Sequence, residues 1–260
     1  MRKLLVAIAI VVSLMTLPAS GILAAAGTTV VVTPANMHGW AFIDDNGHGG
    51  VGQMVSGPGT PPLGSGSAEL SLSASNQGYM LATGAYTGTK LSDITNLGYS
   101  SYQSGPLLAI SLQFDIKYTP DATVYQGRLV FEPYQNGHAT VGSGWQSWSP
   151  LDGIWWATKA PGNVLCSQQS PCTWNQVLAA WPDATIGENT LFKAGSNWSS
   201  FDGNVDAFTI GISGVDTTYD FEPTLTPSNK DQCKTGGWQQ FNSPTFKNQG
   251  DCIQFVNTGK

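Results

Sequence analysis

The most regular stretch of the chain runs from Leu108 to Tyr118. Leu108, Ile110, Leu112, Phe114, Ile116 and Tyr118 occupy every even position, and Ala109, Ser111, Gln113, Asp115 and Lys117 fill the odd ones. Successive strand side chains point to opposite faces, so this alternation predicts a half-buried β-strand with one apolar face. Burying six such side chains yields on the order of 10 kcal/mol. Ordering the backbone costs about 1 to 2 kcal/mol per residue, so the strand needs a partner sheet.

Weaker alternation predicts further strands at Thr28 to Thr33, Trp40 to Asp44, Ser67 to Ser73, Tyr79 to Ala85 and Leu97 to Tyr102, with Lys90 to Asn96 ambiguous. The Gly- and Pro-rich stretch from Asn46 to Gly66 follows neither period. After a turn at Thr119 to Thr123, Gln126 to Tyr134 reads as the hairpin partner of the regular strand. Gly144 to Pro150 and Ile154 to Thr158 read as two adjacent aromatic strands, and Asn204 to Ile212 and Thr217 to Phe221 as closing strands.

One helix interrupts the β pattern. Thr173 and Gln176 form a capping box, Trp174, Val177, Leu178 and Trp181 make an apolar stripe, and Pro182 stops it. Many short strands between turn signals with a single surface helix describe an all-β jelly-roll sandwich over residues 27–224. The character changes near Pro223. Residues 225–260 read as a small helical tail, with a capping-box start at Ser228 and Asp231 and a second helix at Asp251 to Asn257.

Arg2 and Lys3, the apolar run Leu4 to Leu17 and Ala24-Ala25-Ala26 describe a secretory signal peptide over residues 1–26. The run is short for a membrane span, so no span is expected after its removal. Export sets the context for four cysteines, Cys166, Cys172, Cys233 and Cys252. Three pairings are open; Cys166 with Cys172 and Cys233 with Cys252 is preferred because each pair lies within one segment. Zinc is the rival reading, but none of the three histidines stands at ligand spacing from a cysteine. Only 11% of residues are charged and the formal net charge is −6, which argues against nucleic acid, whose phosphates demand Lys and Arg.

Several segments resemble those of a family of uncharacterised secreted bacterial proteins. They are Gly57-Pro58-Gly59-Thr60-Pro61-Pro62-Leu63-Gly64-Ser65-Gly66-Ser67, Leu91 to Ser100, Gly203-Asn204-Val205-Asp206 and Tyr219-Asp220-Phe221-Glu222-Pro223. The tail, Lys230-Asp231-Gln232-Cys233-Lys234 through Phe246-Lys247-Asn248-Gln249-Gly250-Asp251-Cys252, resembles a recurring two-cysteine cassette of exported proteins. The resemblance implies a jelly roll of the carbohydrate-binding-module or lectin-like kind and carries over no catalytic residue.

Trp145, Trp148, Trp155 and Trp156 fall within twelve residues. Flat aromatic faces stack on sugar rings, so these, with Gln146 and with Arg128 and Glu132 on the hairpin strand, are the candidate ligand-binding residues; core packing is the competing role. Trp155 and Trp156 are neighbours on one strand and must point to opposite faces, one inward and one outward. Asp44-Asp45-Asn46-Gly47-His48-Gly49-Gly50 offers oxygens to a structural calcium, or is a solvated turn. Gly47, Gly49 and Gly52 match G-x-G-x-x-G without the helix that motif requires.

Only four glutamates are present, Glu69, Glu132, Glu188 and Glu222. A glycosidase pair drawn from Glu132 with Asp115 or Asp206 depends on strand register. Otherwise Arg128 and Glu132, on one strand face, form a surface ion pair worth little. No nucleophile elbow is present.

The sequence therefore points to an exported protein, extracellular or at the cell surface, that binds glycan or cell-surface polysaccharide without catalysis. A structural envelope or adhesion protein, and a glycoside hydrolase or lyase on the same scaffold, are the alternatives.

Overall fold

A computed structural model describes residues 27–103, 108–137, 144–198 and 200–260. The expected signal peptide lies outside the described residues.

In chain order the strands are β1 (Thr28–Val32), β2 (Trp40–Asp44), β3 (Val51–Ser56), β4 (Gly66–Leu72) and β5 (Tyr79–Thr83). There follow β6 (Ile94–Gln103), β7 (Ser111–Lys117), β8 (Arg128–Phe131), β9 (Gln146–Trp148) and β10 (Ile154–Ala157). A one-turn helix α1 (Gly162–Leu165), the short strand β11 (Cys172–Thr173) and helix α2 (Trp174–Ala180) lead to β12 (Thr185–Ala194), β13 (Phe201–Ile212) and β14 (Val215–Phe221). Helix α3 (Gln249–Thr258) lies in the tail.

These strands form two seven-stranded sheets, the β-sandwich predicted by the alternation. In the first sheet the long β13 pairs with β6 along one edge and with β4 and then β14 along the other; β3, β1 and β9 extend it, β1 in parallel with β14. The second runs β11-β10-β8-β7-β12-β5-β2, antiparallel throughout. The apolar side chains of β7 and β8 meet Leu70, Val205, Phe208 and Phe221 of the first sheet in one continuous core. At its centre Trp40 stacks on Phe192 at 6.0 Å and stands edge-on to Phe221 at 5.3 Å.

Four expectations need correction. The regular strand is not half-exposed: its polar face, Ser111, Gln113 and Asp115, is 5%, 6% and 5% accessible, because neighbouring side chains roof it with polar contacts. The aromatic segments around Leu151 are not adjacent strands. Cross-strand partners place β9 against β6 in the first sheet and β10 against β8 in the second. The Gly- and Pro-rich stretch contains β3, an edge strand. Strand β12 escaped the period-two pattern because a register shift between Ile186 and Thr190 interrupts its pairing with β7.

The disulfides join Cys166 to Cys172 and Cys233 to Cys252. Thr173 and Gln176 make the expected capping box of α2. In the tail the box is displaced by one residue, to Asn229 and Gln232, because the asparagine carboxamide reaches two main-chain N–H groups.

Candidate functional site

The outward face of the second sheet carries a cross-strand row. Leu191 of β12 pairs with Gln113 of β7, Gln113 with Val130 of β8, and Val130 with Trp156 of β10. Residues directly opposite in a sheet share a face, and Gln113, Val130 and Trp156 of this row line an open cleft of about 480 Å³. Gln113 donates to Ser111 at 2.8 Å, which fixes its carboxamide within that cleft.

An ion network lies at one end of the row. Arg128 donates to Asp45 through both terminal nitrogens at 2.7 and 3.1 Å, and through Nε to Asp115 at 3.1 Å. Lys193 also bonds Asp45, and Asn189 donates to Asp115 at 2.7 Å. Burial opposes the charge on Asp45, but the hydrogen bonds from Arg128 and Lys193 outweigh it and hold its carboxyl at about 2. Two partly buried cations face the partly buried Asp45 and the buried Asp115, so the network presents a fixed array of donors and acceptors with little net charge.

At the other end Trp156 donates its indole N–H to Glu132 at 3.1 Å, and Gln168 approaches the same carboxylate oxygen at 3.5 Å. This hydrogen bond sets the orientation of the half-exposed Trp156 ring. Ser196, Asn197 and Trp198 form the opposite wall. The loop bearing them turns at Gly195, whose φ of 87° and whose approach to the Gln77 carbonyl, 2.6 Å from where a Cβ would stand, leave room only for glycine. Trp198 packs on Phe201 at 4.7 Å, and Asn197 donates its main-chain N–H to Ser75. Lys159 lies over the Tyr125 ring at 4.9 Å on the rim.

The candidate residues divide by position. Trp156, Arg128 and Glu132 line this cleft. Trp155 does not: it is fully buried, stacked on Phe114 at 5.5 Å, with its N–H on the Pro150 carbonyl. Alternation on β10 sends it inward as it sends Trp156 outward. Trp148 is also packed against the core, donating to Ser101 at 2.9 Å with its ring 6.4 Å from Phe131. Gln146 sits beside it on β9, its Oε1 buried without a hydrogen-bond partner. Trp145 belongs to the outer side of the first sheet, 5.8 Å from Tyr102.

Sequence reasoning did not single out Lys193, Asn197 or Trp198 as binding residues, and it placed Asp45 only in a candidate calcium loop. Three of these lie on or after the unrecognised β12. The fourth reaches the cleft only because the chain folds back beyond β2. Gln113 was legible as polar, though not as part of a binding floor.

The carboxylates do not pair as a glycosidase requires. Asp115 stands opposite Arg128 in register, four residues from Glu132 along β8, or about 13 Å at 3.3 Å per residue. The two carboxyls of retaining and inverting enzymes stand roughly 5 to 9.5 Å apart. Asp206 is on the other sheet. Nor do Arg128 and Glu132 pair with one another, since Asp45 and Asp115 engage the guanidinium.

In the Asp44 loop both carboxylate oxygens of Asp44 accept main-chain N–H groups, from Asn46, Gly47 and Gly49, the pattern of an Asx turn. Among the described residues no group of three or more His, Cys, Asp or Glu is placed to hold a metal ion.

No family model matches the chain, and no curated protein matches it in sequence. Among solved structures it is similar to the family 11 carbohydrate-binding module of a cellulosomal cellulase of Clostridium thermocellum. The identity is 12%, over 67% of this chain and 88% of that one, with a TM-score of 0.42. A second structure of the Clostridium thermocellum family 11 module, in complex with a β-1,3-1,4-mixed-linked tetrasaccharide, matches at 13% identity over 68% and 90% of the two chains, with a TM-score of 0.41. A carbohydrate-binding module from the β-sandwich superfamily matches at 11% identity over 67% and 58%, with a TM-score of 0.35. At such identities and scores the chemistry of the cleft is read from its own residues.

Proposed function

We propose that this protein is an exported, non-catalytic glycan-binding protein whose site is the outward cleft of the second sheet. The observation that carries this reading is the placement of two half-exposed tryptophans, Trp156 and Trp198, as walls over a floor of hydrogen-bonding side chains, Gln113, Arg128, Glu132 and Lys193, in one open cleft. Indole faces match the apolar faces of a sugar ring, and the fixed polar groups match its hydroxyls. Because Asp45 and Asp115 already neutralise the two partly buried cations, the cleft suits a neutral saccharide better than a polyanion. Its openness along the sheet suits a chain of sugars passing over it.

The test is a glycan-array screen of residues 27–260, followed by titration of each hit with tryptophan emission as the signal. Saturable binding that shifts emission in the parent and is lost in Trp156→Ala supports the assignment. Silence across neutral glycans, or full binding by Trp156→Ala, overturns it.

A further inference from the structure

The first sheet carries a second cross-strand row on its own outward face. Gln53 of β3 pairs with Glu69 of β4, Glu69 with Asn204 of β13, and Asn204 with Tyr102 of β6. Over this row opens a pocket of about 310 Å³, lined by Glu69, Asn204, Tyr102, Asp202, Val55 and Pro58 among others.

Its aromatic side is built firmly. Trp145 packs against the Tyr102 ring, and its indole N–H is held by the Pro58 carbonyl at 2.9 Å. The polar side is fixed as well: Gln53 donates to Glu69 at 2.6 Å, and Asn204 donates through Nδ2 to Ser67 at 3.0 Å. Asn204 is 4% accessible and lines the pocket, its carboxamide held in place by that bond. Its Oδ1 is an acceptor to which a ligand hydroxyl can donate.

We infer that this pocket is a second glycan subsite, taking one neutral sugar residue against Tyr102, whose ring Trp145 supports, on the face opposite the cleft proposed above. Glu69, Asn204 and Asp202 supply acceptors for hydroxyl groups. With two carboxylates and no basic residue in its lining, the pocket disfavours uronates and sulfated sugars. Sites on opposite faces make the protein bivalent, so that it bridges two polysaccharide chains. Linked sites raise avidity without any new contact.

The experiment is calorimetric titration of residues 27–260 with cellohexaose, xylohexaose and mannohexaose, with hexagalacturonate as the anionic counterpart. The expected stoichiometry with a binding neutral hexasaccharide is two per chain, falling to one in Trp156→Ala, to one in Tyr102→Ala and to zero in the double variant. Glu69→Gln, which preserves volume and packing, is expected to weaken only the second site, and its melting temperature controls for folding. One site per chain, lost in Trp156→Ala and untouched by Tyr102→Ala and Glu69→Gln, overturns the second site and leaves the first. One site lost in Tyr102→Ala and kept in Trp156→Ala sustains this inference and overturns the first. Binding to none of the neutral hexasaccharides overturns both.

Discussion

Trp156 and Glu132 are joined by an indole-to-carboxylate hydrogen bond of 3.1 Å across β10 and the end of β8, and this bond sets the angle of the ring that walls the cleft. Removing the ring and removing the charge therefore have separate effects. Trp156→Ala is expected to weaken glycan binding roughly 30-fold, the loss of about 2 kcal/mol typical of an aromatic anchor. Glu132→Gln keeps an acceptor for the indole and is expected to cost only a few-fold. Titration of both variants against the same oligosaccharide checks this, and equal losses would mean that the carboxylate itself is the principal contact.

Arg128 holds two carboxylates, Asp45 and Asp115, in a nearly dry setting. Removing one member of a buried charge group leaves its partners uncompensated and destabilises by about 3 to 5 kcal/mol. Arg128→Met is expected to lower the urea midpoint accordingly, and Asp45→Asn on that background to restore part of the loss. A double variant no more stable than the single one would place the cost in packing and not in charge.

Carboxyl groups on the two faces act in opposite directions with pH. Burial is the largest influence on Asp206 and raises its carboxyl to about 7; burial and then the neighbouring Glu222 raise Asp220 to about 6. Both values lie above the unfolded value near 3.9. The folded state therefore holds more protons than the unfolded chain between about pH 4 and 7. Their stabilising contribution is complete below about pH 4 and is lost as pH rises through 6 to 7. Asp45, held at about 2, contributes stability above about pH 4 that disappears as pH falls through 2. Thermal unfolding is thus expected to show greatest stability near about pH 4, with a decline from there to about pH 7. Asp220→Asn, whose amide donates to Glu222 at any pH, is expected to flatten the decline between about pH 4 and 6; an unchanged decline would remove Asp220 from the account.

The Cys233–Cys252 bridge closes a loop of 19 residues, with both cysteines fully buried. In the chain-entropy model this is worth about 3 kcal/mol. Replacing both cysteines by serine is expected to remove amide exchange protection from α3 while leaving the main unfolding transition and glycan binding in place. A matching drop in the main transition would show that the tail and the sandwich unfold as one unit.

The sequence alone was sufficient for whatever depends on near neighbours. Alternation from Leu108 to Tyr118 marked a strand because side-chain direction repeats every two residues. Thr173 and Gln176 marked a helix start because a capping box is a four-residue interaction, and the cysteines paired within their own segments. The assignment of Trp155 and Trp156 to opposite faces needed only the pleat. Which of the two faced outward, and what stood opposite, depended on contacts between residues distant in sequence. Asp45 meets Arg128 from 83 positions away and Lys193 from 148, Trp198 reaches the wall from the loop after a strand whose bulge hid its period, and Trp145 lies on the other sheet although it is eleven residues from Trp156. Register and sheet order bring such residues together, and no local pattern records them. The class of fold was therefore legible in the chain, and the two faces on which its aromatic residues come to lie were decided by tertiary pairing.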